Sequence, residues 1–359
     1  EINMEKDKVN PLGTEPVGRL LRKFAIPSII SMLVTSLYNI VDQFFIGRTV
    51  GELGNAATNI AFPLTTMCLA AMLALGIGGA AGFNLNMGAG NKKKAMYFIG
   101  NALTVMFGVG VVIALISLFF MEPLLKFFGS PDSVALRKRV CGSGCFWLPI
   151  CNGSQWSSHL VRADGSPKFS MYCNLVGAII NVILDYLFVM RFGWGMSGAA
   201  LATVIGQIVS FMMVVWYMRH YKTAKIERKH LIPCKEFVFR TLHLGMAQGI
   251  NQLAMMIVQI VMNQSLKYYG GLSIYGASIP IACAGIIMKV NQLYFSICIG
   301  VAQGIQPIAS FNTGAGNYDR VKKTYKIAVT CNTVVSTIAF LIFQLFPRQI
   351  IGIFGFRFQ

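Results

Sequence analysis

Long apolar runs separated by short polar or basic segments recur along the whole chain. A run of about 20 apolar residues crosses the hydrocarbon core of a bilayer as a helix. The pattern predicts nine such helices, over 24–46, 58–87, 96–121, 138–161, 169–190, 197–218, 243–266, 275–312 and 324–346. The second and eighth exceed the length needed, so they are expected to tilt or to protrude from the membrane. The first twenty residues are polar, and the run that follows is longer than the apolar core of a signal peptide. A cleaved leader is therefore not expected.

Composition agrees with this pattern. Hydrophobic residues make up 55% of the chain and charged residues 12%, with a mean hydropathy of +0.60. Soluble domains carry about 25% charged residues. The fold class expected is an all-α polytopic membrane protein. The formal net charge of +18 raises the question of nucleic acid, but the basic residues are distributed by loop. Segments 1–23, 91–94, 162–168, 219–242 and 318–326 hold 21 of the 31 Lys and Arg residues. The alternate loops and the tail hold 9, although "ALRKRV" (135–140) runs against the trend, and Lys289 falls inside a predicted span. By the bias of positive charge toward the inner face, the N-terminus is expected in the cytoplasm of a cell (plasma or inner) membrane protein. The basic clusters then serve topology and contact with anionic lipid, and no nucleic-acid partner is expected. Eight of the nine cysteines lie in predicted spans, Cys234 being the exception. They read as small packing residues, including the pair in "CGSGC" (141–145).

The chain contains an internal repeat. "GIGGAAGFNLNMGAGNKKKA" (76–95) returns as "AQGIQPIASFNTGAGNYDRV" (302–321), 226 residues later, and from Gly78 to Asn91 six of fourteen positions are identical. Each copy ends a long predicted helix on the basic side, and "GAGN" reads locally as a glycine helix stop. Six helices separate the copies' starting points, so the second copy enters with the same orientation, as in parallel-repeat carriers. The expected organisation is a cytoplasmic segment 1–23, a first lobe of six helices at 24–218, a cytoplasmic linker 219–242, and a partial second lobe of about three helices at 243–359. By the same offset a complete second lobe would end near residue 444, which makes a C-terminal truncation the expectation.

Candidate chemistry rests on two acids. Of thirteen Asp and Glu residues, only Asp42 and Asp185 fall within predicted spans. A carboxylate at membrane depth is costly and marks a functional site unless a structural partner explains it. Asp42 lies 18 residues into the first helix and Asp185 16 residues into the fifth, so both sit about 24–27 Å from the cytoplasmic face. Asn181 precedes Asp185 by one turn; Tyr38 and Asn39 precede Asp42; Thr203 and Gln207 form a further pair on the sixth helix. Together these groups suit a proton or a hard cation such as Na⁺, at a site of Asp42, Asp185, Asn181 and Thr203. Asn263, Gln303 and Gln306 are candidate cavity residues in the second half. Pro27 interrupts the first helix as a kink or a hinge.

Several motifs, in order, resemble one family. "YNIVDQFFIG", "GAGN", "RADGSPK" (162–168), "NVILDYLFV", "GWGMSGAALATVIGQ" (193–207) and "IGVAQGIQPIASFNTGAGNYDRVKK" (299–323) look like the multidrug and toxic compound extrusion (MATE) transporters. The subgroup they fit best includes the DinF-like and MepA-like proteins. The resemblance implies twelve helices in two pseudo-symmetric six-helix lobes. It implies export of organic cations and similar drugs in exchange for H⁺ or Na⁺, by a protein that is monomeric when full length and needs no cofactor beyond the coupling ion. By motif, Asp42 and Asp185 would be the coupling acids, Tyr38, Asn181 and Thr203 would line the same cavity, and Pro27 matches a proline linked to bending of the first helix. The chain departs from the family pattern in lacking three helices, in a polar, Cys-rich fourth span, and in having no acid within the second-half spans.

Other functions are weaker. A lipid-linked precursor flippase of the same superfamily would need cations in its cavity for pyrophosphate, and only Lys289 offers one. A membrane enzyme is disfavoured: the chain has no HExxH or GxSxG, and its four histidines stand near helix ends or in basic loops. A non-transporting fragment is the remaining alternative.

Overall fold

The computed structural model describes residues 10–49, 52–119, 153–223, 226–274, 276, 278–347 and 349. Among these residues the chain is helical and has no strand. A short helix α1 (Pro11–Thr14) precedes the long helices α2 (Val17–Thr49), α3 (Glu52–Gly88) and α4 (Lys92–Phe119). Then come α5 (Gly153–Ala163), α6 (Pro167–Asp185) with a π-helical turn at Tyr186–Arg191, and α7 (Gly195–Arg219). A 3-10 turn (Arg228–Leu231) leads to α8 (Lys235–Leu272), α9 (Ser278–Gly314) and α10 (Tyr318–Leu345). Eight of these helices are long and apolar enough to cross a membrane. They match every predicted run but the fourth, of which α5 is the described end. The start of that run, "CGSGC", "ALRKRV" and the terminal "FGFRFQ" lie outside the described residues.

The helices outrun their predicted boundaries. Hydropathy marks where a helix is apolar, but hydrogen bonding continues until something caps it, so α2 begins seven residues before Phe24, with Arg19, Arg22 and Lys23 in its first turns. The two "GAGN" copies are such stops. Asn91 N–H donates to Asn86 O at 2.8 Å and Asn317 N–H to Asn312 O at 2.9 Å, while Gly90 and Gly316 adopt φ of +78° and +73°. That is the six-to-one closure of a helix C-terminus, and its left-handed residue favours glycine.

The two copies also meet each other. A Cβ built on Gly88 would lie 1.9 Å from Phe311 O, and one on Gly314 would lie 1.9 Å from Leu85 O. Leu85 and Phe311, like Gly88 and Gly314, are 226 residues apart. The contacts are therefore one contact repeated across an approximate two-fold axis between α3 and α9. Further out the helices correspond, though not residue for residue: a Cβ on Gly304 would meet Ala25 Cα at 2.5 Å, and one on Gly78 would meet Thr241 O at 2.0 Å. α2 thus packs on α9 as α8 packs on α3. Away from the basic end, Ser36 of α2 and Ser296 of α9 share a short hydrogen bond.

Short helices reach across this seam at the basic end. Leu12 of α1 packs with Leu20, Phe24, Ile308 and Phe311. Leu12 O accepts from Asn312 Nδ2 at 3.0 Å, and Glu15 O accepts from Arg320 Nη2 at 2.6 Å. In the linker, His230 O accepts from Asn101 Nδ2 at 3.2 Å, Leu231 O from Thr104 Oγ1 at 2.7 Å, and Cys234 N–H donates to Asn101 Oδ1 at 2.6 Å. Each half therefore straps itself to the other through backbone groups. The linker's first residues are held by Asp164 of the "RADGSPK" motif. Its carboxylate accepts from Tyr217 Oη at 2.8 Å, Lys222 N at 2.7 Å, Thr223 N at 3.1 Å and the Thr223 hydroxyl. Burial pushes the Asp164 carboxyl up from its ordinary value, and these four donors oppose that shift.

Candidate functional site

Glycines bring the site helices together. α6 and α7 cross where Gly177 faces Ser210 and where a Cβ on Gly206 would come within 2.6 Å of Gly177 O. One turn along, Asn181 Nδ2 reaches Thr203 Oγ1 at 3.2 Å. α2 closes the third side. Near its end, Phe45 packs against Val189 and Ala199, which form a small buried cluster. Phe45 is three residues beyond Asp42 and Val189 is four beyond Asp185, so the cluster aligns the two acids one turn below it.

The carboxyl groups of Asp42 and Asp185 lie close enough to interact. Asp185 is fully buried, and among the described residues neither of its oxygens has a donor; nor does Asp42 Oδ1. Directly after Asp185 the helix widens into its π-helical turn, where Phe192 N–H reaches back five residues to Leu187 O at 2.9 Å. Such turns often accompany functional sites in helices, since they re-aim the side chains on either side.

Below the acids lies a small, partly open polar pocket, lined by Tyr38, Asn174, Gly177, Ala178, Asn181, Thr203, Gly206, Gln207 and Ser210. The structure thus brings together Asp42, Asp185, Asn181, Thr203, Tyr38 and Gln207 of the sequence-derived candidates. The other four stand elsewhere. Asn39 is half-buried on α2 and takes no part in this lining. Asn263 is exposed on α8, where its Oδ1 accepts from Gln259 Nε2 at 3.2 Å. Gln303 accepts from Arg162 Nη1 at 2.9 Å, near the level where Gly304 meets Ala25. Gln306 is half-buried beside Pro307 on α9. Nearness to Asp42 in sequence brought in Asn39 and membrane depth the other three; the helix face each one occupies separates them. Pro27 is buried within an unbroken α2, and Ser28 Oγ donates to Phe24 O at 2.8 Å beside it.

Among the described residues no cluster of three His, Cys, Asp or Glu side chains exists. Two carboxylates, an amide oxygen and a hydroxyl nevertheless form an all-oxygen set of the kind hard monovalent cations take. The sequence reading missed Asn174 and Ser210 of the lining, which only the crossing of α6 and α7 brings in. It also missed Arg162, counted as a loop charge but fully buried between the halves.

Comparison with known proteins follows this geometry closely. A family profile described as MatE matches residues 27–187 and 249–357. The chain is 25% identical over 347 residues to the probable multidrug resistance protein YoeA of Bacillus subtilis (strain 168), covering 94% of this chain and 73% of that protein. It is 25% identical over 358 residues to the multidrug export protein MepA of Staphylococcus saprophyticus, covering 98% of this chain and 77% of the relative. In fold it is similar to a multidrug resistance MATE family transporter of the MOP superfamily in an outward-facing conformation. The TM-score there is 0.85 at 21% identity, over 96% of this chain and 76% of the other.

Proposed function

We propose, from the premise that this chain belongs to the MatE family of membrane transporters, that it is a secondary active multidrug exporter. It exchanges organic cations for H⁺ or Na⁺ across the cell membrane, with its N-terminus in the cytoplasm. The observation that carries this reading is the neighbouring pair Asp42–Asp185 at the end of a polar pocket, with both Asp185 oxygens and Asp42 Oδ1 buried and without a partner among the described residues. Two carboxylates in a site of low dielectric cannot both stay ionised and empty. One proton between them, or one Na⁺ held by Asp42, Asp185, Asn181 and Thr203, removes the conflict.

A cationic drug entering the cavity relieves the same conflict, so drug and coupling ion compete for one pair of charges. Competition of this kind is sufficient for antiport when each occupant favours a different arrangement of the halves. Pro27 supplies a place for α2, which carries Asp42, to change its path. Small-molecule cations are thus the cargo and lipid the surroundings; the reading involves no enzymatic step.

The test is counterflow of a fluorescent organic cation in proteoliposomes under separate H⁺ and Na⁺ gradients. Asp42→Asn and Asp185→Asn should each abolish gradient-driven efflux and leave membrane insertion intact. Wild-type efflux from both variants would remove the coupling role.

A further inference from the structure

The cavity's polar atoms are unevenly matched. Among the described residues, most of the buried side-chain acceptors without partners gather here, among them Asp42 Oδ1, both Asp185 oxygens, Asn181 Oδ1 and Asn174 Oδ1, while Thr241 Oγ1 and Asn332 Oδ1 stand apart. The neighbouring hydroxyls do not supply the missing protons. Thr203 donates to Ala199 O at 3.0 Å, and Ser210 donates to Cys173 O at 2.7 Å.

These bonds also fix the amides. Because the Thr203 proton is committed to Ala199, its oxygen can only accept, so Asn181 must turn its NH₂ toward it at 3.2 Å. The Asn181 carbonyl then faces away. Asn174 donates to Ser31 Oγ at 2.6 Å, which leaves its own carbonyl oxygen over. The result is a line of acceptors running from the acid pair down α6, at residues 185, 181 and 174.

A ligand fits this lining by bringing hydrogen-bond donors as well as charge. A quaternary ammonium brings charge alone. Its usual receptor is a cage of aromatic rings, whereas among the described residues Tyr38 is the single aromatic of this lining. We infer that the cavity selects protonated primary and secondary amines or amidinium groups over quaternary ammonium ions, with charge read by Asp42 and Asp185 and N–H groups read by Asn181 and Asn174. The inference rests on the reading of this cavity as the cargo site, and it narrows the cargo class.

The selection is measurable with matched probes: 2-(1-naphthyl)ethylamine and its N,N,N-trimethyl derivative, titrated calorimetrically into the full chain in lipid nanodiscs. The amine should bind at least about tenfold more tightly, since sites built to hydrogen-bond a ligand reject analogues lacking the donor. Asn174→Leu and Asn181→Leu should each shrink that ratio by weakening the amine more than the trimethyl probe. Ser31→Ala, which frees the Asn174 amide to rotate, should shrink it in part and leave the fold undisturbed. Equal or tighter binding of the trimethyl probe overturns the inference. So does a site that takes Na⁺ and neither probe. A preserved ratio in a protein that shows no gradient-driven efflux would support the selection and sink the antiport reading instead.

Discussion

Asn101 gives the sharpest test of how the linker is held. It is fully buried on α4, and its two ends serve the linker: Oδ1 accepts from Cys234 N–H at 2.6 Å and Nδ2 donates to His230 O at 3.2 Å. Cys234 is the N-cap residue of α8 and offers no side-chain cap of its own, so Asn101 takes the place of a cap supplied from another helix. Asn101→Leu keeps the volume and removes both bonds. Leaving two backbone groups without partners costs about 1–3 kcal/mol each. Allowing for partial access of water to Cys234, the strap should lose about 2–4 kcal/mol of local stability. When opening is fast relative to cleavage, proteolysis follows the open population, and each 1.4 kcal/mol is about tenfold. Trypsin cleavage at Arg228, Lys229 and Lys235 in detergent should therefore accelerate by at least about tenfold, mapped by mass spectrometry. Asn101→Asp retains the acceptor for Cys234 and should show a smaller acceleration. A leucine variant cut within about threefold of the wild-type rate would refute the view that the side chain, rather than the surrounding apolar contacts, holds the linker.

Three further outcomes follow from the structure. Gly88→Ala and Gly314→Ala should each destabilise by about 1–3 kcal/mol. The double variant should cost less than the sum, because parting α3 from α9 once relieves both clashes; simple additivity in thermal unfolding would contradict the shared axis. A cysteine at Ser273 should react with an impermeant maleimide in intact cells while Cys234 does not, and the reverse labelling would invert the proposed orientation. Linker opening should also depend on pH. Burial lowers the His230 pKa below its ordinary 6.5, against an opposing pull from Glu227, and its Nδ1 accepts from Glu227 N–H at 3.1 Å. The neutral ring is the bound form, so its contribution is complete above 6.5 and is lost as pH falls toward the lower folded value; hydrogen exchange over 227–234 that is the same at pH 7.5 and 5.5 would exclude this.

Much of the fold could be read from hydropathy, because lipid forces every span to be helical and apolar. The repeat was equally legible, because "GAGN" serves twice as a helix stop that needs a left-handed residue. The acid pair stood out since no other carboxylate occupies a predicted span. What the sequence hid depends on helix faces and crossings. Depth made Asn263 and Gln303 candidate cavity residues, but rotation about α8 and α9 puts one on the surface and the other against Arg162. The π-helical turn after Asp185 has no residue signature in "YLFVMR". Arg162 looked like a loop charge because it lies one residue past a hydropathic boundary, where only the opposing Gln303 reveals its burial. The straps were invisible for a related reason: they are recognised through backbone carbonyls, which every sequence possesses.

Residues on the axis between α3 and α9 have an unusual history imposed on them. After a gene duplication, most positions of the two copies drift separately, and here most of the resemblance has gone. Gly88 and Gly314 cannot drift that way. Each lies against the turn that carries the other, so a side chain gained by either copy presses on both. The survival of "GAGN" in two places is then a mark of where the ancestral halves touched, and the contact itself has kept the record of the duplication legible.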